Sequence, residues 1–420
     1  MIRSGICVAS LRCGQISGRA AVRRQDHTKT DLPLTRWSAH PVLIGLGIGI
    51  LAGPAGLHLL EPHVVEDSGL VESVGEIILV VALFCVGLRL RVPFEWHFWR
   101  TPVRLAILTM LATATLAAAA AHVLFGMDLV AAMLLGVVLA PTDAVLASDI
   151  HVPAEIDQDA VPFTLAAEGA LTSALAAPLL LIVLEFLGFG DSGSSALGIH
   201  VLLTLWSVIG GVVLGWLIGM VMMRWLTLLD ADRQGDFLED MIVVATAVLT
   251  YVSALALRTD GFIAVFVAGL ALSHGGRLRQ VLRKATPSAR VLRFAGRIER
   301  FAAVLVMVLI GALLAGVELH LRMAVFALLL LAGLRPLAVR IGLVGLGLPV
   351  TQRRSLEWFG ARGAAALYCL GLAINHGLGG AYARELAATA LVVVVISVVL
   401  SAVSAVSFGK ASPGPGAVDL

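Results

Sequence analysis

Charge is what this chain has least of. Only 14% of its 420 residues are Asp, Glu, Lys or Arg, while 59% are hydrophobic and the mean hydropathy is +0.95. A soluble protein of this length needs far more charge to stay in solution. The scarcity leaves a polytopic α-helical membrane protein. The period-two alternation of a transmembrane β-barrel is also missing, because the apolar runs are apolar on all sides. Neither sign of charge dominates: 30 basic and 28 acidic residues give a net charge of +2, so no nucleic-acid partner is expected. The four cysteines are scattered, Cys7 and Cys13 near the N-terminus and Cys85 and Cys369 inside apolar runs, without metal spacing or a disulfide framework. They read as small packing residues. No nucleophile–base constellation or phosphate loop appears, so neither an enzyme nor a bound cofactor is expected. Glycine is plentiful at 43 residues, which suits close helix contact in lipid.

In chain order, residues 1–40 form a polar, arginine-rich segment whose one apolar patch, GICVAS, is too short for a signal-peptide core. It reads as a basic cytoplasmic tail; a transit-like peptide is the alternative, because the first 25 residues contain no acid. Residues 41–408 form the transmembrane domain and 409–420 a short cytoplasmic end. Twelve spans are predicted, at 41–60, 70–91, 103–125, 128–149, 161–186, 197–227, 238–257, 260–274, 301–319, 322–346, 355–377 and 384–408, the tenth interrupted by Arg335-Pro336. Segment 275–300 carries eight basic residues against Glu299. Placing it in the cytoplasm puts both termini there too, and loop 61–69 outside. The predicted location is the cell membrane, with lipid as surroundings.

The stretch 139–178 holds two carboxylates inside apolar runs, Asp143 and Glu168. A carboxylate at membrane depth costs roughly 2.5–3.5 kcal/mol on the mildest scale, so it marks a cation or proton pathway by default. Pro141 removes a backbone donor two residues before Asp143 and predicts a broken helix there. Thr142 adds a hydroxyl beside the acid, and Thr172 lies one turn on from Glu168. Hydroxyls in membrane helices usually bond the preceding turn, so the plain reading of Thr172 stays open. Glu168 calls for a buried arginine partner as much as for a transport role. Arg362 sits in WFGARGAAALYCL, bracketed by Gly360 and Gly363, which predicts a second helix break. Two broken helices in corresponding halves point to an inverted-repeat transporter. Glu76 and Glu185 read as packing or snorkelling residues, and Asp260 as a helix N-cap.

The strings APTDAVLASDIHV, AAEGALTSALAAP, GFIAVFVAGLALS, GLRPLAV and WFGARGAAALYCLGLAI resemble, in this order, the cation/proton antiporters of the NhaP and sodium–hydrogen exchanger type. The resemblance implies two inverted repeats, broken helices crossing at the membrane midplane, a homodimer, and exchange of sodium or potassium for protons. It maps Thr142 and Asp143 onto the family's Thr-Asp-Pro, with Ala144 where proline is usual. Glu168 and Arg335 match a paired glutamate and arginine, and Arg362 matches the arginine of the second crossing. Two departures stand out. The family's Asn-Asp pair is here Thr172-Ser173, and the family's first span has no counterpart, the basic tail standing in its place.

These features predict a secondary transporter in which Asp143 binds a monovalent cation or a proton, helped by Thr142, Thr172, Ser173 and freed carbonyls. Glu168 and Arg335 form a structural pair, Arg362 compensates charge at the crossing, and no metal is held beyond the transported cation. Two alternatives follow from the missing aspartate: a transport-impaired relative with a structural or regulatory role, and a passive cation pathway.

Overall fold

A computed structural model describes residues 40–90, 92, 95–143, 160–189, 197–229, 236–281, 289–376 and 380–410. Every regular element among them is helical. Seven helical segments are long and apolar enough to cross a membrane, and five shorter apolar helices of 10–17 residues accompany them. Most of the predicted N-terminal tail, the C-terminal end and loop 149–160 lie outside the described residues, so the arrangement of the termini is not tested by the fold.

The first helices are α1 (His40–Ala52) and α2 (Ser68–Arg89). Next come α3 (Trp96–Arg104) and α4 (Met110–Phe125), joined through a π-helical turn at Leu105–Thr109, and then α5 (Leu129–Leu139). Long helices α6 (Ala160–Phe186), α7 (Leu197–Leu229), α8 (Asp236–Ala256), α9 (Gly261–Val281) and α10 (Ala289–Ala315) follow. α11 (Leu321–Leu329) and α12 (Arg335–Leu343) are joined by a second π-helical turn, Leu330–Leu334. The chain ends in α13 (Val350–Trp358), α14 (Ala364–Asn375) and α15 (Gly380–Lys410).

One order of elements occurs twice among the described residues: a helix carrying a π turn, a short helix that ends in a non-helical stretch, and, further on, a long unbroken helix. It runs from Trp96 to Phe186 and again from Leu321 to Lys410. α1 packs along α10, α2 along α9 and α14, and α9 along α7. Small residues let these backbones approach, as lipid-embedded packing requires. α7 is apolar all round and turns Trp206, Ile209, Val213 and Trp216 outward, the surface a lipid-facing helix presents.

Two segments differ from the sequence prediction, and a third follows it. The tenth span is not broken at Arg335-Pro336. Pro336 lies inside one continuous helical segment, two residues after the π-helical turn. Its ring would collide with the carbonyl four residues back, at Ala332, and that residue lies in the π turn, where the ladder is already widened. Much of the basic 275–300 segment is helix, the end of α9 and the start of α10, rather than loop. The start of α10 is amphipathic: Val291, Ala295 and Glu299 recur every four residues on its buried side, and Glu299 meets Arg89 at 2.5 Å. Asp260 caps α9 as the sequence suggests, its Oδ1 accepting the Ile263 N–H at 2.8 Å.

Candidate functional site

α5 stops at Leu139, and residues 140–143 run on without helix. Opposite them, α13 stops at Trp358 and residues 359–363 are likewise non-helical before α14 begins at Ala364. These two breaks touch through main-chain bonds. The Asp143 N–H donates to the Ala361 carbonyl at 2.8 Å, and the Ala364 N–H donates to Asp143 Oδ2 at 2.8 Å. Asp143 is buried, and its carboxylate lies at the N-terminus of α14, where orphan N–H groups and the helix dipole favour negative charge.

Glycine is required at two positions here, by close approach. A Cβ on Gly363 would stand 2.0 Å from Asp143 Oδ2, and one on Gly360 would stand 1.7 Å from Arg335 Nε. The two glycines that bracket Arg362 therefore make room for the acid of one break and the guanidinium of the neighbouring helix. Gly363→Ala should remove transport while leaving protein in the membrane, because only the Asp143 side chain has to turn away. Wild-type transport in Gly363→Ala would show that this carboxylate position is not needed.

Arg362 is fully buried and reaches the opposite break. Its Nη1 donates to the Ala140 carbonyl and, at 2.8 Å, to the Pro141 carbonyl, while its own N–H donates to Ser397 Oγ on α15 at 3.0 Å. The carbonyls that the end of α5 frees are thus occupied by a cation of the protein itself, rather than left for a transported ion. A guanidinium at a helix C-terminus also meets the negative end of the dipole.

Glu168 and Arg335, from α6 and α12, lie 3.1 Å apart with side chains 2% exposed, and Arg335 Nη2 also donates to the Phe359 carbonyl at 3.1 Å. Thr172 and Ser173 stand one turn along α6 and hold the main chain of Thr142. The Thr142 N–H donates to Thr172 Oγ1 at 3.2 Å, the two threonine hydroxyls are 3.0 Å apart, and the Ser173 hydroxyl donates to the Thr142 carbonyl at 2.9 Å. Thr172 Oγ1 also lies 3.1 Å from the Gly169 carbonyl, the ordinary back-bond of a membrane-helix threonine.

Every residue that the sequence offers as a site residue therefore belongs to one buried crossing: Thr142 and Asp143 from the first break, Glu168, Thr172 and Ser173 from α6, Arg335 from α12 and Arg362 from the second break. Ser397 was not picked out from sequence. It sits in the apolar run VVVVISVVLS and accepts the distant N–H of Arg362. Four buried polar atoms at the crossing have no hydrogen-bond partner among the described residues: Glu168 Oε2, Arg335 Nε, and Nε and Nη2 of Arg362.

The fold is similar to that of the sodium proton antiporter MjNhaP1 from Methanocaldococcus jannaschii, with a TM-score of 0.69 and 18% identity over 88% of this chain and 92% of that one. An electron-microscopy structure of the same antiporter gives the same TM-score and covers 89% of its chain. The chain is also 28% identical over 374 residues to the K(+)/H(+) antiporter NhaP of Alkalimonas amylolytica, covering 87% of this chain and 61% of the length of that relative. The sodium/hydrogen exchanger transmembrane family matches residues 28–408, which is most of the sequence, and the chain belongs to that family.

Proposed function

We propose that this chain exchanges a monovalent cation, sodium or potassium, for protons, and that Asp143 is the group the two compete for. The observation carrying this reading is the position of Asp143: a buried carboxylate where residues 140–143 meet residues 359–363, next in the chain to Thr142. A proton and a cation cannot both neutralise one carboxylate, so loading with either excludes the other and couples their opposite movements. The family and the antiporter relatives support the same activity.

Charge bookkeeping favours one-for-one exchange. Asp143, Glu168, Arg335 and Arg362 bring two charges of each sign to the crossing. Protonation of Asp143 and cation binding raise that sum equally, so the two loaded forms face the same desolvation cost. The remaining ligands are oxygens on hand: the Thr142 hydroxyl and carbonyl, Thr172 and Ser173. A cation at the Thr142 carbonyl would take the place of the Ser173 hydrogen, with the serine hydroxyl turned to present its oxygen. Buried polar atoms without protein partners are ordinarily matched by water or an ion, which supports a hydrated route into the crossing. Glu168 with Arg335 would hold the geometry, and Arg362 would balance the end of α5. A homodimer in the cell membrane, with both termini on the cytoplasmic side, completes the reading.

Proton flux in proteoliposomes under imposed sodium and potassium gradients tests it. Flux driven by one of these cations is expected, and silence with both would sink the reading. A second reading is favoured by Ser173, which stands where the family's aspartate is expected and already bonds Thr142. In a decayed exchanger the wild type is silent and Ser173→Asp gains flux, because a carboxylate facing the Thr142 carbonyl needs a cation between them. In a working exchanger that depends on Asp143, Ser173→Asp should instead alter cation affinity in a protein already active.

A further inference from the structure

α14 has the crossing at one end and a second polar contact at the other. Its 12 residues span about 18 Å at the usual helical rise, from the Asp143-capped Ala364 to Asn375. Along this length it lies against α2, and residues Ala364 to Ile374 are all buried. The seam between the two helices is apolar and close. Gly75 of α2 packs on the backbone of Tyr368, Gly371 of α14 on the backbone of Glu72, and the Tyr368 ring meets Phe262 of α9 edge-on at 5.0 Å. Contacts of this kind are non-directional and let one helix slide or tilt on another.

Directional bonds occur at the end of the seam. The Ser68 hydroxyl donates to Asn375 Oδ1 at 2.5 Å, and the Asn375 amide donates to Glu72 Oε2. Asn375 thus uses both ends of its amide to join the last residue of α14 to the first two turns of α2. A path from Asp143 along this seam requires α14 to part from α2, and parting them at this end breaks the Ser68–Asn375–Glu72 chain. Ser68 is buried while Asn375 is exposed, so the chain lies where the seam meets solvent. Hydrogen bonds to a half-exposed rim are readily exchanged for water, which suits a contact broken in every cycle.

We propose that Ser68, Glu72 and Asn375 form a latch that closes the seam at this end, and that its opening admits solvent to the crossing from the side of the 53–67 turn. This rests on the exchange reading above, since a protein that moves nothing needs no latch. The test uses full-length protein with Cys7, Cys13, Cys85 and Cys369 replaced by alanine. The pair Ser68→Cys and Asn375→Cys is then bridged with a short, reducible bis-thiosulfonate. The bridge should form, stop cation-driven proton flux, and release it again on reduction. Failure of the bridge to form, or undiminished flux through bridged protein, overturns the latch. Wild-type protein that moves no protons with either cation would overturn the exchange reading and the latch with it, whereas a working cysteine-free parent isolates the latch.

Asn375→Ala gives a second readout that a merely structural role would not move. Half-saturating cation concentration measured from the latch side should fall, and that from the opposite side should rise. The ratio of the two should change by about threefold to tenfold, the equivalent of one or two ordinary hydrogen bonds. Equal shifts on both sides, or a loss of maximal rate alone, would count against the latch.

Discussion

Asp143→Asn should bring cation-driven proton flux down to the level of empty liposomes while the protein still folds and inserts. Asp143 has one job that the structure shows and a second that we propose for it. As a helix cap, its Oδ2 accepts the Ala364 N–H at 2.8 Å, and an asparagine oxygen of the same size can do that equally well. As a carrier it must gain and lose a proton, which an amide cannot do. Asp143→Asn keeps the first job and deletes the second, whereas Asp143→Ala deletes both. Loss of flux in both variants, with normal thermal stability only in Asp143→Asn, is the expected pattern. Full flux in Asp143→Asn would leave this residue as a cap and nothing more, and the carrier would have to be sought elsewhere.

The second large effect concerns the pair behind the crossing. Removing one partner of a buried ion pair strands the other, at a cost of about 3–5 kcal/mol. Arg335→Ala leaves Glu168 without its counter-charge, takes one donor from the Phe359 carbonyl, and opens a hole beside Gly360. The yield of folded, detergent-stable protein should therefore collapse in Arg335→Ala and in Glu168→Ala. The double variant Glu168→Leu with Arg335→Met replaces charge by apolar volume and should recover much of the stability, because a buried pair is often no better than well-packed hydrocarbon. If the double variant also recovers flux, the pair is scaffolding. If it folds but stays silent, the charges take part in transport. Equal stability of Arg335→Ala and wild type would contradict the pairing.

How much of this could be read from the residues depends on whether the cause is local. Pro141 and the Gly360–Gly363 bracket are local chemistry, and the helices stop beside them, after Leu139 and Trp358. Scarce charge and long apolar runs likewise announce a membrane protein without any partner in view. The basic stretch 275–300 was misread as loop for an equally local reason: arginines obscure the four-residue spacing of Val291, Ala295 and Glu299 that makes it a helix face. The targets of the buried arginines are another matter. Arg362 bonds carbonyls more than 200 residues away, and carbonyls carry no mark in a sequence. The same holds for Ser397 and for Asn375, whose partners lie 35 and about 300 positions distant. Hydroxyls at 172 and 173 could be read as cation ligands, but not as clamps on the peptide of Thr142.

The π-helical turn at Leu330–Leu334 has a bearing on inheritance as well as shape. Such a turn is, in effect, one residue too many for an α-helix, and each residue of an α-helix advances the chain by about 100°. Arg335 comes immediately after it, so its aim at Glu168 depends on the turn staying wide. Rewinding these five residues as regular α-helix, with none lost, would swing the guanidinium about 100° away from its carboxylate. Loss of a single codon in this short tract removes the surplus residue and the wide turn together, and leaves Arg335 facing Glu168. A one-residue deletion should therefore be tolerated here, whereas a one-residue insertion adds to a surplus that the turn already carries.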